Sequence, residues 1–323
     1  MGHGSDRRQE GHQAQPHSQG QRPRAWRGQA RGCLRVHQWR ARVDEGRHRP
    51  LREGEPEPAV LPGDLLEAGA SSHPHREPAE VRRLVTHPRS ILAVDIGNSA
   101  TKIARVARDG VQELLRFPTG DWGSQAAACS ELPDDPVWIC SVVDGVTPAA
   151  AQLLGGTVIG TDVPLPAPLD YDTPDTLGAD RVIAAWAAWQ AHPAGAVVVD
   201  AGTAMTVDWI DQTGTFRGGA IAPGPGVLGA ALNGTAPGLD AVDPDPDVDW
   251  PGRTTRQSLV AGITSAARGL VRDLVGQACD AAGADAGVVV TGGAALLVST
   301  LMDRHHDVDR DLLMRGIGVV AGL

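Results

Sequence analysis

Residues 91–106 read ILAVDIGNSATKIARV, and residues 196–210 read AVVVDAGTAMTVDWI. Each starts with four apolar residues and reaches an aspartate, Asp95 or Asp200. Each then turns through x-Gly-Asn or x-Gly-Thr and resumes as a second strand. A short apolar run bounded by turn residues is the signature of a buried strand. A carboxylate at the end of such a run is costly unless something compensates it. The two aspartates lie 105 positions apart, and the elements that follow them rhyme as well. A repeated strand–strand–strand–helix unit predicts an α/β fold of two similar domains, each offering one glycine turn to a shared cleft.

Such turns suit phosphate. Gly97 and Gly202 are expected to let the backbone turn tightly and approach a ligand. Backbone N–H groups and the hydroxyls of Ser99, Thr101 and Thr203 can donate to phosphate oxygens. Asp95 and Asp200 repel phosphate, so their expected work is to hold a cation or orient water beside it. Two such turns make a two-sided clamp for an ATP tail. This is not a P-loop, because no GxxxxGK[ST] is present and Lys102 falls on the second strand.

LDYDTPDTLGADRV, residues 169–182, is the third notable stretch. It sets Asp180 and Arg181 in the first turn of a helix, behind Gly178 and Ala179. Acidic residues are favoured at a helix start by the macrodipole. Phosphoryl transfer to a hydroxyl also needs a carboxylate placed to take the proton. Both readings of Asp180 stay open at this level. VVVTGGAA, residues 288–295, is read equally as a tight strand-to-helix turn or as room for a nucleotide base or ribose.

The intervening pattern predicts strands at 91–95, 102–107 and 111–117, with RDG (108–110) as a hairpin turn. A helix near 122–129, a strand at 137–143 and a strand near 157–160 complete the first half. Another helix is expected to start at Thr147, with Thr147 as its N-cap and Pro148 first inside. A helix over 176–193 leads to the second half. There a third strand at 214–224, helices at 225–234 and 256–282, a strand at 287–293 and terminal helices are expected.

Composition divides the chain near Pro88. Residues 1–90 hold 16 Arg against 11 Asp and Glu, with eight of the 11 His; residues 91–323 hold 13 basic and 28 acidic residues. The first segment has no apolar period and is expected to be disordered. It reads as a solvated tail or as translation from an upstream start, with a basic nucleic-acid arm as the alternative. The acidic remainder argues against sequence-independent nucleic-acid binding. Four scattered cysteines form no CxxC pair, so neither a zinc site nor a disulfide framework is expected. No apolar run reaches membrane-spanning length.

The segments DIGNS, Y…LGADR, DAGTAMTVD, GGAIAPG and TGG, in this order and spacing, resemble the type III pantothenate kinases. That family belongs to the actin-like, Hsp70-like and sugar-kinase ATPases. The resemblance covers residues 91–323. It implies two duplicated actin-like (ribonuclease H-like) domains, 90–194 and 195–323, with an interdomain cleft, preceded by the extension 1–89. It also implies ATP-dependent phosphorylation of pantothenate, the first step of coenzyme A biosynthesis, by a cytoplasmic homodimer using Mg²⁺ and K⁺ or NH₄⁺. By position, Asp95, Ile96, Gly97, Asn98, Ser99, Ala100, Thr101 and Lys102 would form the first phosphate loop, with Asp95 near Mg²⁺. Thr203 would meet ATP, and Asp200 would bind the monovalent cation. Asp180 would be the proton acceptor. Tyr171, Gly178, Ala179, Asp180, Arg181 and Thr255 would contact pantothenate. The alternatives are another small-molecule kinase of the superfamily or a non-catalytic regulator of transcription. The regulator reading predicts a lost base or phosphate loop, whereas Asp95, Asp180 and Asp200 are all present.

Overall fold

The computed structural model describes residues 88–323. The readings made for residues 1–87 lie outside the described residues. Among the described residues, ten strands form two sheets. The first contains β1 (Ser90–Ile96), β2 (Ala100–Ala107), β3 (Gly110–Pro118), β4 (Val137–Ser141) and β5 (Thr157–Val158), in the order β3-β2-β1-β4-β5. The second contains β6 (Ala196–Ala201), β7 (Ala204–Ile210), β8 (Phe216–Pro223), β9 (Gly287–Thr291) and β10 (Asp307–Val308). Its order, β8-β7-β6-β9-β10, is the same topology met a second time. In each sheet the first three strands run antiparallel and the last two join in parallel. The repeat expected from the two glycine turns is therefore a repeat of whole sheets.

Helices fill the connections: α1 (Ala126–Cys129), α2 (Thr147–Leu154), α3 (Ala179–Ala191), α4 (Pro225–Thr235), α5 (Thr255–Ala282), α6 (Ala295–Leu301) and α7 (Leu312–Val320). Every residue of β1 is buried, as a strand covered on both faces requires. Side chains alternate between faces along a strand. Val94 and Ile96 pack with Phe117, Trp122 and Ile139 on one side of the first sheet, while Ile91 and Ala93 pack with Ala179 and Ile183 of α3 and with Met314 and Ile317 of α7 on the other. In the second sheet Val197 and Val199 face α5 and α6, and Ala196 and Val198 face Val182, Ala184, Ala185 and Ala188 of α3. Helix α3 is thus wedged between the inner faces of both sheets. Its run of alanines permits that close approach from two sides and favours the helix intrinsically.

Three local expectations need correction. Thr147 does not cap α2. Val146 occupies the cap position, and the Thr147 hydroxyl lies 2.6 Å from Ser141 Oγ and 2.9 Å from the Val143 carbonyl, tying the helix back to β4. The helix expected over 122–129 is a 3₁₀ turn, Thr119–Ser124, followed by the single turn α1. Two glycines in that turn weaken an α-helix, while buried Trp122, its ring 5.5 Å from that of Phe117, sets the path. The C-terminal helices are interrupted by β10, which extends the parallel edge of the second sheet.

Candidate active site

The same alternation that sorts the core residues decides where the aspartates point. Asp95 follows Ile91 and Ala93 on the inner face of β1, and Asp200 follows Ala196 and Val198 on the inner face of β6. Both faces look toward α3, whose first turn carries Asp180. Asp95 and Asp200 accordingly line one cavity, together with Lys102, Arg116, Thr291, Gly292 and Arg310. The two glycine turns meet at its edge. Ser99 Oγ and Thr203 Oγ1, 104 positions apart in sequence, lie 3.0 Å from one another, and both residues are exposed.

The two turns need their glycines for room rather than for backbone handedness. Neither Gly97 nor Gly202 has a positive φ. Their value is steric, since a Cβ would come within 3.3 Å of the Ala100 carbonyl at Gly97 and within 3.1 Å of the Ala204 carbonyl at Gly202. Gly292, in TGG, does need the left-handed region, at φ 90°. A Cβ there would sit 2.3 Å from Asp200 Oδ1, so this glycine is what lets the β9–α6 turn close over the Asp200 carboxylate.

Three carboxylates now share one low-dielectric region. Burial pushes the Asp95 carboxyl up to about 6; Asp180 adds to the rise and Lys102, 3.5 Å away, opposes it. Burial also pushes Asp200 up to about 6, with Asp180 and Asp95 raising it further. Asp180 is raised too, chiefly by burial, while the backbone N–H of Arg181, 2.8 Å from Oδ1, favours its charged form. Acids crowded in this way are short of positive charge. Hard oxygen donors of this kind suit Mg²⁺ or an alkali cation. Among the described residues no three His, Cys, Asp or Glu side chains converge to cage an ion unaided. The two carboxylates that line the cavity, Asp95 and Asp200, fit Mg²⁺, which is held through one or two carboxylates with substrate phosphates completing its shell.

Arg181 is committed elsewhere. Its guanidinium binds Asp208 of β7 through Nε, 3.1 Å from both carboxylate oxygens, and through Nη2 at 2.5 Å. Both residues are buried. The guanidinium carbon stands 6.0 Å from the Tyr171 ring centre and 5.8 Å from that of Phe216. This ion pair joins the start of α3 to the second sheet and fixes Asp180 beside it.

The structure therefore brings together Asp95, Lys102, Asp180 and Asp200, sets Ser99 against Thr203, and sets the Tyr171 ring beside the Arg181 guanidinium, with Gly178 and Ala179 at the start of α3. Asn98 is exposed at the turn tip, whereas Ile96 is core. Thr101 is fully buried and its hydroxyl points inward to Thr119, 3.1 Å away, rather than toward the cavity. Thr255 is exposed at the start of α5 and shares no hydrogen bond or ion pair with the group among the described residues. Sequence reasoning missed Asp208, Arg116, Arg310 and Thr119. Asp208 left a signal, a charged residue inside the buried strand AMTVDWI.

The family model for type III pantothenate kinase matches residues 91–277. This chain belongs to the type III pantothenate kinase family. It is 33% identical over 241 residues to the type III pantothenate kinase of Akkermansia muciniphila, covering 72% of this chain and 98% of that one. It is 32% identical over 259 residues to that of Chlorobaculum parvum, covering 72% and 94%. Membership makes the chain a kinase, a phosphotransferase that uses ATP and a divalent metal, and the family's reaction is the phosphorylation of pantothenate in coenzyme A biosynthesis. Among solved structures, one from Campylobacter jejuni described as a conserved Baf family transcriptional activator aligns with a TM-score of 0.51 at 20% identity, covering 71% of this chain and 96% of that one. That likeness shows the fold alone, an α/β pair of mixed sheets. Among the described residues no helix is long and apolar enough to cross a membrane.

Proposed function

We propose that this kinase carries out its family's reaction, transfer of the γ-phosphoryl group of ATP to the primary hydroxyl of pantothenate, with Asp180 as the proton acceptor. The observation that carries the reading is the meeting of both glycine turns, Ser99 against Thr203 at 3.0 Å, beside a cavity shared by Asp95 and Asp200. The segment Asp95–Lys102 and Thr203 hold the polyphosphate from two sides. Asp180 takes the hydroxyl proton. Its raised pKa brings it closer to neutrality, where a carboxylate is a more effective base, and its bond from the Arg181 N–H fixes its direction. Tyr171, Gly178, Ala179 and Arg181 wall the pantothenate pocket, with Arg181 immobilised by Asp208. Asp95 would hold Mg²⁺ and Asp200 a K⁺ or NH₄⁺ ion, and these cations would offset phosphate charge during transfer.

The proposal assigns one sheet to each of two domains, 90–194 and 195–323, in a cytoplasmic enzyme. It also takes the active form to be a homodimer with Thr255 as a pantothenate contact. Light scattering after gel filtration reads the oligomeric state. The central test is Asp180→Asn assayed with ATP, Mg²⁺, K⁺ and pantothenate. Turnover is expected to fall by about 10²–10⁴ with ATP binding and circular dichroism unchanged. Near-normal turnover rejects the assignment of the base.

A further inference from the structure

We infer that Thr119 is a positioning residue for the nucleotide, the pin that holds the first glycine turn in its phosphate-receiving shape. The inference rests on reading Asp95–Lys102 as a phosphate loop. Thr119 follows β3 directly and opens the 3₁₀ turn. Its backbone N–H donates to the Ser99 carbonyl at 3.2 Å, and its hydroxyl donates to the Gly97 carbonyl at 2.6 Å. With that single proton committed, the Thr101 hydroxyl, 3.1 Å away, is the donor in the bond between the two threonines. Thr119 is 4% exposed and Thr101 0%. The bond between the two threonines is buried and the bond to the Gly97 carbonyl part-buried, so losing the hydroxyl leaves the buried Thr101 proton without its acceptor.

The second half of the molecule supplies the comparison. Gly224 follows β8 as Thr119 follows β3, and its N–H donates to the Thr203 carbonyl at 2.9 Å, matching the Thr119-to-Ser99 bond. There the backbone presses directly on the turn, since a Cβ at Gly224 would lie 2.0 Å from the Gly202 carbonyl. The first turn cannot use that solution. Asp95 pairs across the hairpin with Lys102, whereas Asp200 pairs with Thr206, so the first turn has one more residue to control. Two equivalent positions thus brace two equivalent turns, one by close packing of a glycine and the other by a buried hydroxyl. The Gly97–Ser99 segment, with exposed Asn98 and Ser99 between its two pinned carbonyls, is closed by its own bond from the Gly97 N–H to the Ala100 carbonyl at 3.1 Å and held from outside by Thr119.

The test compares Thr119→Val, which keeps the shape and removes the hydroxyl, with Thr119→Ser. The readouts are KM for each substrate, kcat, and the Kd for a non-hydrolysable ATP analogue with Mg²⁺ by calorimetry. Thr119→Val is expected to raise KM and Kd for nucleotide roughly tenfold, the worth of one buried hydrogen bond. The pantothenate KM is expected to stay within about twofold, and Thr119→Ser to restore nucleotide affinity. Where the valine variant does not fold by circular dichroism, Thr119→Cys, a weaker donor in the same space, is expected to give a smaller rise of the same kind. Unchanged nucleotide affinity, a parallel loss for both substrates, or no restoration by serine overturns the inference. Asp95→Asn, measured alongside, separates the two ideas. Lost nucleotide affinity in Asp95→Asn but not in Thr119→Val removes only the pin, while indifference of both removes the phosphate loop itself.

Discussion

Asp200→Asn is expected to make the ligand-free protein more stable while impairing the enzyme. The Asp200 carboxyl is pushed from an ordinary 3.8 to about 6 by burial and by the charges of Asp180 and Asp95. A rise of that size corresponds to about 3 kcal/mol of destabilisation when the group is ionised in the folded state. For an acid with a raised folded pKa, its contribution is fully present below the unfolded pKa near 4 and is lost as pH rises through about 6. Asparagine is neutral throughout and also relieves Asp95 and Asp180, although its amide must find partners in the same space. A net gain of roughly 1–3 kcal/mol at pH 7.5 follows, or about 3–10 °C in Tm for a folded part of this size. The gain is expected to shrink to about a third at pH 4.5, where the folded aspartate is protonated but much of the unfolded one is still ionised, and to vanish only below about pH 3.8. Urea unfolding of both proteins at the two pH values, in tetramethylammonium buffer free of Mg²⁺ and K⁺, measures it. Adding K⁺ is then expected to raise the Tm of the wild type and leave the variant unmoved. No gain at pH 7.5, or an equal gain at both pH values, would refute the claim that crowded charge at this cavity costs the fold stability.

Asp208→Asn leaves the Arg181 guanidinium buried without its counter-charge, and is expected to cost about 3–5 kcal/mol in urea unfolding. The double variant Arg181→Met/Asp208→Leu is expected to recover most of that loss while remaining inactive, because the pocket wall is gone. Gly292→Ala places a methyl 2.3 Å from Asp200 Oδ1 at a φ of 90°. A loss of about 1–3 kcal/mol is expected in thermal melts, together with a weakened response of activity to K⁺. The removal of K⁺ and NH₄⁺ from the assay is expected to abolish turnover, and full activity without them would reject Asp200 as the cation site.

Much of this was legible along the chain. The two runs ending in Asp95 and Asp200 mark buried strands, and their shared pattern announced the duplicated sheet. LGADR marked the start of α3. These are local signals, because strand burial and helix starts depend on residues within a few positions of each other. Thr147 and the 122–129 segment were misread because a hydroxyl's partner in β4 and the anchoring of Trp122 are not local facts. The same holds for Asp208, whose pairing with Arg181 spans 27 positions, and for Thr119, whose hydroxyl serves a turn 22 positions earlier.

The sequence by itself determined which strands are buried, where each turn falls and which acids end the strands. Only the tertiary structure decided that those acids look at one another. Alternation along β1 and β6 sets each aspartate on one of two faces, and pattern alone does not say what covers that face. The alanine-lined helix α3, held between both inner faces, is what brings two separate strand ends to one cavity and sets the charge of Asp180 close to both.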